Sequence, residues 1–339
     1  MNAKKWYKRR WVYYLYLFLL LFPLAEVATR IMGYQPYVNE DYSISSSPDA
    51  CIKSDLQYGL ALVPGSYKTT INRQHTYAVQ HTKDGQRVTP FNTANQADSV
   101  YLMGCSFTYG MGVNDTETFA SRLQVEHSNY RFVNFGVPGY GTIQSFLQLQ
   151  EKLASGSHPE KVVLNFSKLH FDRNALTPTY RRNLKIGFER SNIKNAALLK
   201  DANFPYIDGE NMNEIKHVQW KDIYHNWMGR ETFSTINFLN IQSDHSTAAK
   251  IDDYKITEHL IERLNKLCLD NNIDLLVCLL DSDQKVRKLI QFCKTENIDI
   301  VKVGLTHKDP DLTNLPHDSH PNAKGHKLIS NKISTWLNN

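Results

Sequence analysis

Short apolar runs alternate with segments of helical apolar spacing over most of the chain beyond residue 98. The pattern predicts strands at 99–104, 131–135, 161–166, 273–280 and 298–303, and helices at 117–126, 142–154, 251–270, 284–295 and 322–337. Strands and helices in alternation form a parallel sheet covered on both faces. The expected fold class is therefore α/β: a three-layer α/β/α domain with a five-stranded parallel sheet, flavodoxin-like in arrangement. Functional residues of such folds lie at the carboxyl ends of the strands.

The predicted domain spans 57–339, begins with a small β lead-in, follows a linker and contains an insertion. Leu60–Val63 and Thr76–Val79 are expected to form short strands of a small β lead-in. Residues 35–56 are polar and irregular, which is typical of a linker. Residues 175–250 form a long insertion, and its aromatic side chains could cap the site, by stacking on sugars or lining an acyl pocket, or could build a small separate core. These aromatic residues are Tyr180, Trp220, Tyr224, Trp227 and Phe233.

Residues 1–34 have the pattern of a membrane anchor. Cations are followed by an uncharged apolar and aromatic run, Trp11–Ala25, which ends at Glu26. Counting Val27 and Ala28, the run is long enough for a thin or untilted span, which prefers about 20 residues. The cations at the near end predict a cytoplasmic N-terminus and an extracytoplasmic (periplasmic) domain. A cleaved signal peptide is the alternative, although small residues are poorly placed for cleavage.

Beyond the first ten residues, positively and negatively charged side chains are equal in number. The chain has 39 Lys and Arg against 34 Asp and Glu, and five cations near the N-terminus equal the whole excess. These are Lys4, Lys5, Lys8, Arg9 and Arg10. The domain therefore has no basic surplus that would indicate a nucleic-acid partner.

The strand Val100–Gly104 runs directly into Cys105 and Ser106. A serine after such a Gly-x pair lies on a tight strand-to-helix turn, where its hydroxyl is exposed and its own N–H can bind an anion. This position suits a nucleophile. An ordinary turn with Ser106 as a helix N-cap is the alternative.

A second polar motif, His317–His326, precedes the last predicted helix. Serine becomes nucleophilic when an imidazole takes its proton, and a carboxylate fixes the tautomer of that imidazole. Asp318 and His320 could supply both groups. The alternative is a polar loop in which Asp318 or Asn322 caps the helix.

These motifs, in this order, resemble the blocks of the SGNH/GDSL hydrolase family. Gly104-Cys105-Ser106 matches the first block, with Cys105 where the signature has Asp, and Asn134–Gln144 matches the second. Asp318–Gly325 matches the last block. The resemblance implies an ester hydrolase without a cofactor, a catalytic triad of Ser106, His320 and Asp318, and an oxyanion hole that includes the N–H groups of Ser106 and Gly139.

The third block of the family supplies an Asn side chain to the oxyanion hole. Here Leu169 or His170 takes that place, depending on register. His170 could donate a ring N–H, whereas Leu169 could donate nothing. A structural role for His170, bonded to a neighbouring carbonyl, is the other interpretation.

Cysteine and histidine usage adds little further chemistry. Cys105 is a rival nucleophile, but its side chain should point away from that of Ser106, into the core. Cys268 and Cys278 are expected in the core as well, and the five cysteines show no disulfide framework. His317, His320 and His326 are close in sequence, yet Pro321 makes a shared metal site awkward, so we expect no metal.

The resulting hypothesis is a membrane-anchored serine esterase that acts on acetyl or acyl esters of an envelope glycan or lipid. An O-acyltransferase would use the same residues, with a sugar hydroxyl in place of water. A non-catalytic carbohydrate-binding or assembly protein on a decayed hydrolase fold is the competing class, motivated by Cys105 and by the missing Asn.

Overall fold

A computed structural model describes residues 3–38, 43–91, 98–191 and 199–338 of the 339-residue chain. The chain divides into two compact units, residues 1–40 with 225–250 and residues 41–224 with 251–339. The predicted insertion 175–250 is thus shared between them.

The strands are β1 (Ile44–Ser47), β2 (Ile52–Asp55), β3 (Gly59–Leu62), β4 (Gly65–Ile71), β5 (His75–His81), β6 (Asp98–Gly104), β7 (Tyr130–Asn134), β8 (Lys161–Phe166), β9 (Asn203–Tyr206), β10 (Lys216–Gln219), β11 (Asp274–Leu279) and β12 (Asp299–Lys302). The α-helices are α1 (Ala3–Ile31), α2 (Ser106–Tyr109), α3 (Phe119–Glu126), α4 (Thr142–Ala154), α5 (Leu169–Asn174), α6 (Pro178–Ser191), α7 (Ser234–Ala248), α8 (Asp253–Asp270), α9 (Gln284–Thr295) and α10 (Ala323–Leu337). Short 3-10 turns lie at Asp115–Glu117 and Trp220–Asp222.

Five parallel strands form the central sheet of the larger unit, in the order β12-β11-β8-β6-β7. This confirms the predicted fold class, and the predicted strands and helices agree with the observed ones to within about two residues. The carboxyl ends of β6, β7 and β8 share one edge, because neighbouring strands run in the same direction.

Alternate side chains of the strands enter two different cores, as expected for a sheet covered on both faces. On β6, Tyr101 and Met103 join a cluster with α4, α8 and α9. Val100 and Leu102 join a cluster on the other face with α3 and α10. The five cysteines are buried and free, and Cys268 and Cys278 lie in these two cores as predicted.

The β lead-in is larger than predicted. Strands β1, β4 and β5 form one antiparallel sheet, and β2 pairs with β3. Part of the segment 35–56, predicted as an irregular linker, is therefore strand, whereas its residues 39–42 lie outside the described part of the chain. The sequence signal was weak there because β1 contains a single apolar residue, Ile44, and its hydrogen bonds come from β4.

The smaller unit is built from α1 and the segment 225–250. Helix α1 contains a segment, Arg10–Ile31, that is long and apolar enough to cross a membrane, a property that a signal sequence shares. The carboxylate of Glu26 accepts hydrogen bonds of 2.9 Å from the backbone N–H groups of Ser234 and Thr235, the first residues of α7. This is a side-chain cap on the N-terminus of α7.

Candidate active site

Strand β6 ends in a tight turn that presents Ser106. Gly104 has φ +144°, and a Cβ there would lie 2.7 Å from the carbonyl oxygen of Asn165 on the neighbouring strand. Glycine is needed for both reasons. Ser106 is the first residue of α2, and its side chain lines a cavity. The N–H groups of a first helical turn have no partner within the helix, so the backbone N–H of Ser106 suits an anion.

Cys105 points to the opposite side of the turn. Its side chain is fully buried among Phe119, Leu123 and other residues of the core under α3 and α10. It is absent from the described lining of the cavity, as the sequence predicts, so the thiol is not placed to act as the nucleophile.

The structure brings the two distant motifs together. His320 Nε2 lies 2.8 Å from Ser106 Oγ, and His320 Nδ1 lies 2.6 Å from Asp318 Oδ2. With the Nδ1–H tautomer, His320 donates to the carboxylate, and its Nε2 accepts the hydroxyl proton of Ser106. All three predicted residues thus form one hydrogen-bonded chain with the connectivity of a catalytic triad.

Asparagine side chains fix the shape of the loop that carries Asp318 and His320. The Nδ2 of Asn314 donates to the carbonyl oxygens of His320 and Pro321, at 3.2 and 3.3 Å. Asn322 caps α10, because its Oδ1 accepts from the N–H groups of Lys324 and Gly325. Asn322, and not Asp318, therefore caps α10, and the Asp318 carboxylate faces His320.

The carboxyl of Asp318 is buried but charged. Burial alone would raise its pKa, whereas the His320 imidazole and the backbone N–H groups of Ser319 and His320 lower it. The net effect holds the pKa of Asp318 below its usual value of 3.8. At neutral pH, Asp318 is thus an anion that can orient His320 and stabilise its protonated form.

The second block packs directly against the serine turn. The Oδ1 of Asn134 accepts from the Gly136 N–H and its Nδ2 donates to the Thr108 carbonyl. A Cβ at Gly136 would lie 2.3 Å from the Tyr109 nitrogen, so only glycine permits this approach. Gly139, with φ +89°, lines the same cavity as Ser106.

His170 is not in the position predicted for an oxyanion donor. Its ring is fully buried against Phe166, with Nδ1 at 3.2 Å from Thr142 Oγ1. Leu169, which precedes it, lines the cavity instead. Helix α5 begins at Leu169, three residues after the end of β8, and consecutive residues of a helix face different sides, so Leu169 and His170 point to different surroundings. The prediction of His170 as an oxyanion donor is therefore corrected to a core histidine, and the alternative register, with Leu169, applies.

A second His–Asp pair, which no sequence motif predicted, lies beside His320. His307 lines the cavity and forms an ion pair with Asp281, whose other oxygen accepts from Ser167 Oγ and Lys168 N at 2.7 Å. His307 also hydrogen-bonds to the backbone of Ser319, which lies between Asp318 and His320. The hydrogen bond to Asp281 raises the pKa of His307. The pair therefore connects the loop of Asp318 and His320 to the ends of β8 and β11.

The sequence contained one clue to the pair of Asp281 and His307. Asp281 and His307 both follow strands that were predicted from the sequence, at the edge where α/β proteins place their functional groups. Neither residue belongs to a recognisable motif, which is why position in the sheet was the available clue.

The neighbouring histidines have separate roles. The buried ring of His326 stacks on Phe119, and its Nδ1 accepts from the Phe119 N–H. The His317 ring stacks on His75. No group of three or more metal-ligating side chains occurs within the described residues.

Buried neutral histidines predict a loss of stability in acid. Burial lowers the pKa of His326 and His170 to about 3 and that of His81 to about 4, from a usual 6.5. Between these values the unfolded chain binds more protons, so stability present above pH 6.5 is lost as the pH falls towards 4. We expect the urea midpoint to drop from pH 7 to pH 5. The variant His326→Gln should show a shallower pH dependence, and a midpoint that stays constant over this range would contradict the prediction.

The cavity in front of Ser106 has a volume of about 610 Å³. Its polar lining includes Ser106, Lys168, His307 and His320, together with Asp49, Arg173 and Asn183. The remaining lining is mostly apolar and comes from the β lead-in, the α2 turn and the insertion. These apolar residues include Ile44, Ile52, Tyr77, Met111, Leu184, Phe188 and Leu199.

The predicted aromatic cap is only partly seen at this cavity. Of the five aromatic residues, Tyr180 lines it, and its hydroxyl donates to the Gly139 carbonyl at 2.8 Å. Trp220 packs between Phe188 and Phe204 in the cluster behind the cavity. Trp227 and Phe233 belong to the smaller unit.

Comparison with known proteins gives matches among solved structures alone. No protein-family model and no curated protein matches the chain. A lipolytic protein of the G-D-S-L family from Veillonella parvula DSM 2008 is 11% identical, with a TM-score of 0.39, over 71% of this chain and 99% of that one. The esterase EstA from Pseudoalteromonas sp., in a structure inhibited by monoethylphosphonate, is 14% identical, with a TM-score of 0.39, over 71% of this chain and 100% of that one.

A catalytic mutant of the acetylxylan esterase Axe2 from Geobacillus stearothermophilus is 11% identical, with a TM-score of 0.38, over 71% of this chain and 94% of that one. With such low identities and scores, the case for a function rests on the geometry of the site.

Proposed function

We propose that the chain is a serine ester hydrolase. The observation that carries this proposal is the hydrogen-bonded chain from Ser106 through His320 to Asp318, at the wall of a cavity large enough for a substrate. A structural role would not require a buried, charged carboxylate, an imidazole and a serine hydroxyl to be aligned at one cavity wall.

The geometry supports acyl transfer in two steps. Ser106 Oγ attacks the ester carbonyl carbon while His320 Nε2 takes its proton, and the N–H groups of Ser106 and Gly139 receive the oxyanion. The C–O bond then breaks, and protonated His320 gives its proton to the leaving alcohol. Water, deprotonated by His320, releases the acid from the acyl-enzyme and restores the serine hydroxyl. Asp318 keeps Nδ1–H pointed at itself and stabilises the imidazolium.

Two backbone donors make a modest oxyanion hole. Leu169 contributes none, so the third donor that the family resemblance implies is missing from the described site. Loss of one such donor costs on the order of 10²–10³ in rate. The proposed enzyme is therefore slower than a complete triad and oxyanion hole would allow, but still active.

The cavity favours an acyl ester over an acetyl ester. A volume of about 610 Å³ lies in the range of pockets for drug-sized ligands, roughly 300–1,000 Å³, and an acetyl group would leave most of the apolar lining in contact with water. Each methylene buried there contributes up to about 0.8 kcal/mol. We infer a substrate with a longer acyl chain, on a lipid or an acylated glycan.

A chain-length series tests this inference. We expect kcat/KM for p-nitrophenyl octanoate to exceed that for the acetate by at least about tenfold, because the chain buries apolar area. Leu184→Trp, which fills the cavity from α6, should remove this preference and keep activity on the acetate. Val125→Trp, at an exposed position of α3, is the matched control and should change neither. Equal rates on both esters with the wild type would contradict an acyl-chain cavity.

We further propose that α1 is an uncleaved anchor, with the larger unit on the extracytoplasmic side. The cations before the span support this orientation. The hydrogen bonds from Ser234 and Thr235 to Glu26 support retention of the helix, since cleavage near Ala25 or Ala28 would separate these partners or destroy the helix that holds them.

A further inference from the structure

The segment 225–250 packs along the last turns of α1 through specific contacts. The Phe233 and Phe22 rings are 5.0 Å apart, and the Phe238 and Tyr34 rings 4.7 Å apart. The hydroxyl groups of Thr29 and Thr235 are 3.2 Å apart. The start of α7 thus lies beside Phe22, and Phe238 lies beside Tyr34, just beyond the end of α1. The chain after Tyr34 turns back along the segment, because the Tyr37 N–H donates to the Arg230 carbonyl at 2.8 Å.

Side-chain burial in this segment is the reverse of that in a water-soluble helix, because polar side chains are buried and apolar ones are exposed. Four polar residues of α7 are buried: Ser234, Thr235, Asn240 and Asp244. Large apolar side chains are exposed instead, with exposed fractions of 43% for Trp227, 94% for Met228 and 47% for Leu239. Water-soluble surfaces rarely carry such a concentration of large apolar side chains, and an apolar partner normally covers it.

The exposed apolar residues lie at one end of the segment. Trp227, Met228, Phe233 and Leu239 all precede the polar second half of α7, in which Gln242, Ser243, His245 and Ser246 are exposed. The last turns of α1, which this segment contacts, expose apolar side chains as well, including Leu21, Leu24 and Val27. A tryptophan at the edge of an apolar surface is typical of a membrane–water interface.

We propose that residues 227–239 form a second membrane-contacting segment, which dips into the lipid bilayer beside the extracytoplasmic end of α1. Trp227, Met228 and Leu239 contact lipid at the boundary between headgroups and acyl chains, and the second half of α7 rises into water. The proposal rests on the proposed membrane anchor. It also explains how Glu26 is tolerated in an apolar helix, because the backbone N–H groups of α7 satisfy its carboxylate at that depth.

Spin labels on the full-length protein in phosphatidylcholine–phosphatidylglycerol vesicles test the proposal. A nitroxide on Met228→Cys reports collision with oxygen, which concentrates in the bilayer, and with a water-soluble nickel chelate. Leu20→Cys, in the middle of the proposed span, is the membrane reference. Leu269→Cys, 66% exposed on α8 of the larger unit, is the water reference. The native cysteines are all buried, so unmodified protein gives the labelling background.

We expect the label at 228 to resemble the label at 20, with high oxygen and low nickel accessibility. If 228 instead resembles 269 while 20 stays in the bilayer, the second contact segment is wrong and the anchor stands. If 20 itself is accessible to nickel, the anchor fails as well. A label at 228 that neither reagent reaches indicates that protein covers the patch, and this also overturns the proposal. Retained ester hydrolysis by each labelled variant shows that it is folded.

Discussion

Replacing Ser106 with alanine is expected to reduce kcat for p-nitrophenyl octanoate by about a millionfold, to the residual level that binding and oxyanion stabilisation alone provide. The substitution removes the oxygen that His320 Nε2 contacts at 2.8 Å. Alanine suits the first position of α2, so circular dichroism and the urea midpoint should stay close to those of the wild type. Steady-state rates with purified, detergent-solubilised protein provide the measurement.

Cys105→Ala is the matched control for this prediction. The thiol is adjacent in sequence but buried in the opposite core, so its loss should change kcat only a few fold and should reduce stability through a small cavity. If Cys105→Ala abolished activity while Ser106→Ala retained it, the nucleophile would be the thiol and the serine mechanism would be wrong.

Asp318→Asn is expected to lower kcat by about 10⁴ with little change in KM. The asparagine amide keeps the shape of the carboxyl but can hold His320 in the tautomer with the proton on Nε2, which cannot accept the serine proton. It also removes the charge that stabilises the imidazolium. Because the wild-type pKa of Asp318 lies below 3.8, the carboxylate is charged throughout the neutral range. The loss should therefore persist from pH 6 to pH 9.

Asp281→Asn provides a comparison within the same site. Asp281 is also a buried carboxylate paired with a histidine, yet its partner His307 contacts the loop backbone and not Ser106. We expect a much smaller loss of kcat than for Asp318→Asn. Equal losses in the two variants would show that Asp318 has no special role beyond holding the loop in place.

Local patterns sufficed to predict most of the fold. The strands at the centre of the sheet are continuous apolar runs bounded by turns, and the helices begin at polar caps such as Asp283 and Asn322, whose side chains accept from the first turn. Strand β1 and its place in a sheet were missed because its stability comes from pairing with β4, a non-local contact that a serine-rich segment does not show.

The predicted site shows the same difference between local and non-local contacts. Each motif is local, because Gly104 to Ser106 form one turn and Asp318 and His320 lie in one loop, so each was recognisable in the sequence. The contact between Ser106 and His320 joins positions 214 residues apart, and only the resemblance to the family implied it. The third block was not predicted correctly, because a shift of one residue at the start of α5 decides which side chain faces the cavity. The structure places Leu169 at the cavity and His170 in the core. The association of 225–250 with α1 was likewise beyond prediction, since the contacts of Glu26 with Ser234 and Thr235 join distant parts of the chain.

Covalent labelling with a fluorophosphonate tests the central claim most directly, because the reagent reacts with a serine only where a base has activated its hydroxyl. We predict stoichiometric labelling of the folded full-length protein, with the phosphonylated peptide mapped by mass spectrometry to Ser106. Labelling should be lost in Ser106→Ala and retained in Cys105→Ala. Folded wild-type protein that stays unlabelled, or that is labelled at a residue other than Ser106, would contradict the proposed nucleophile, and an unlabelled protein would favour a binding role for the cavity.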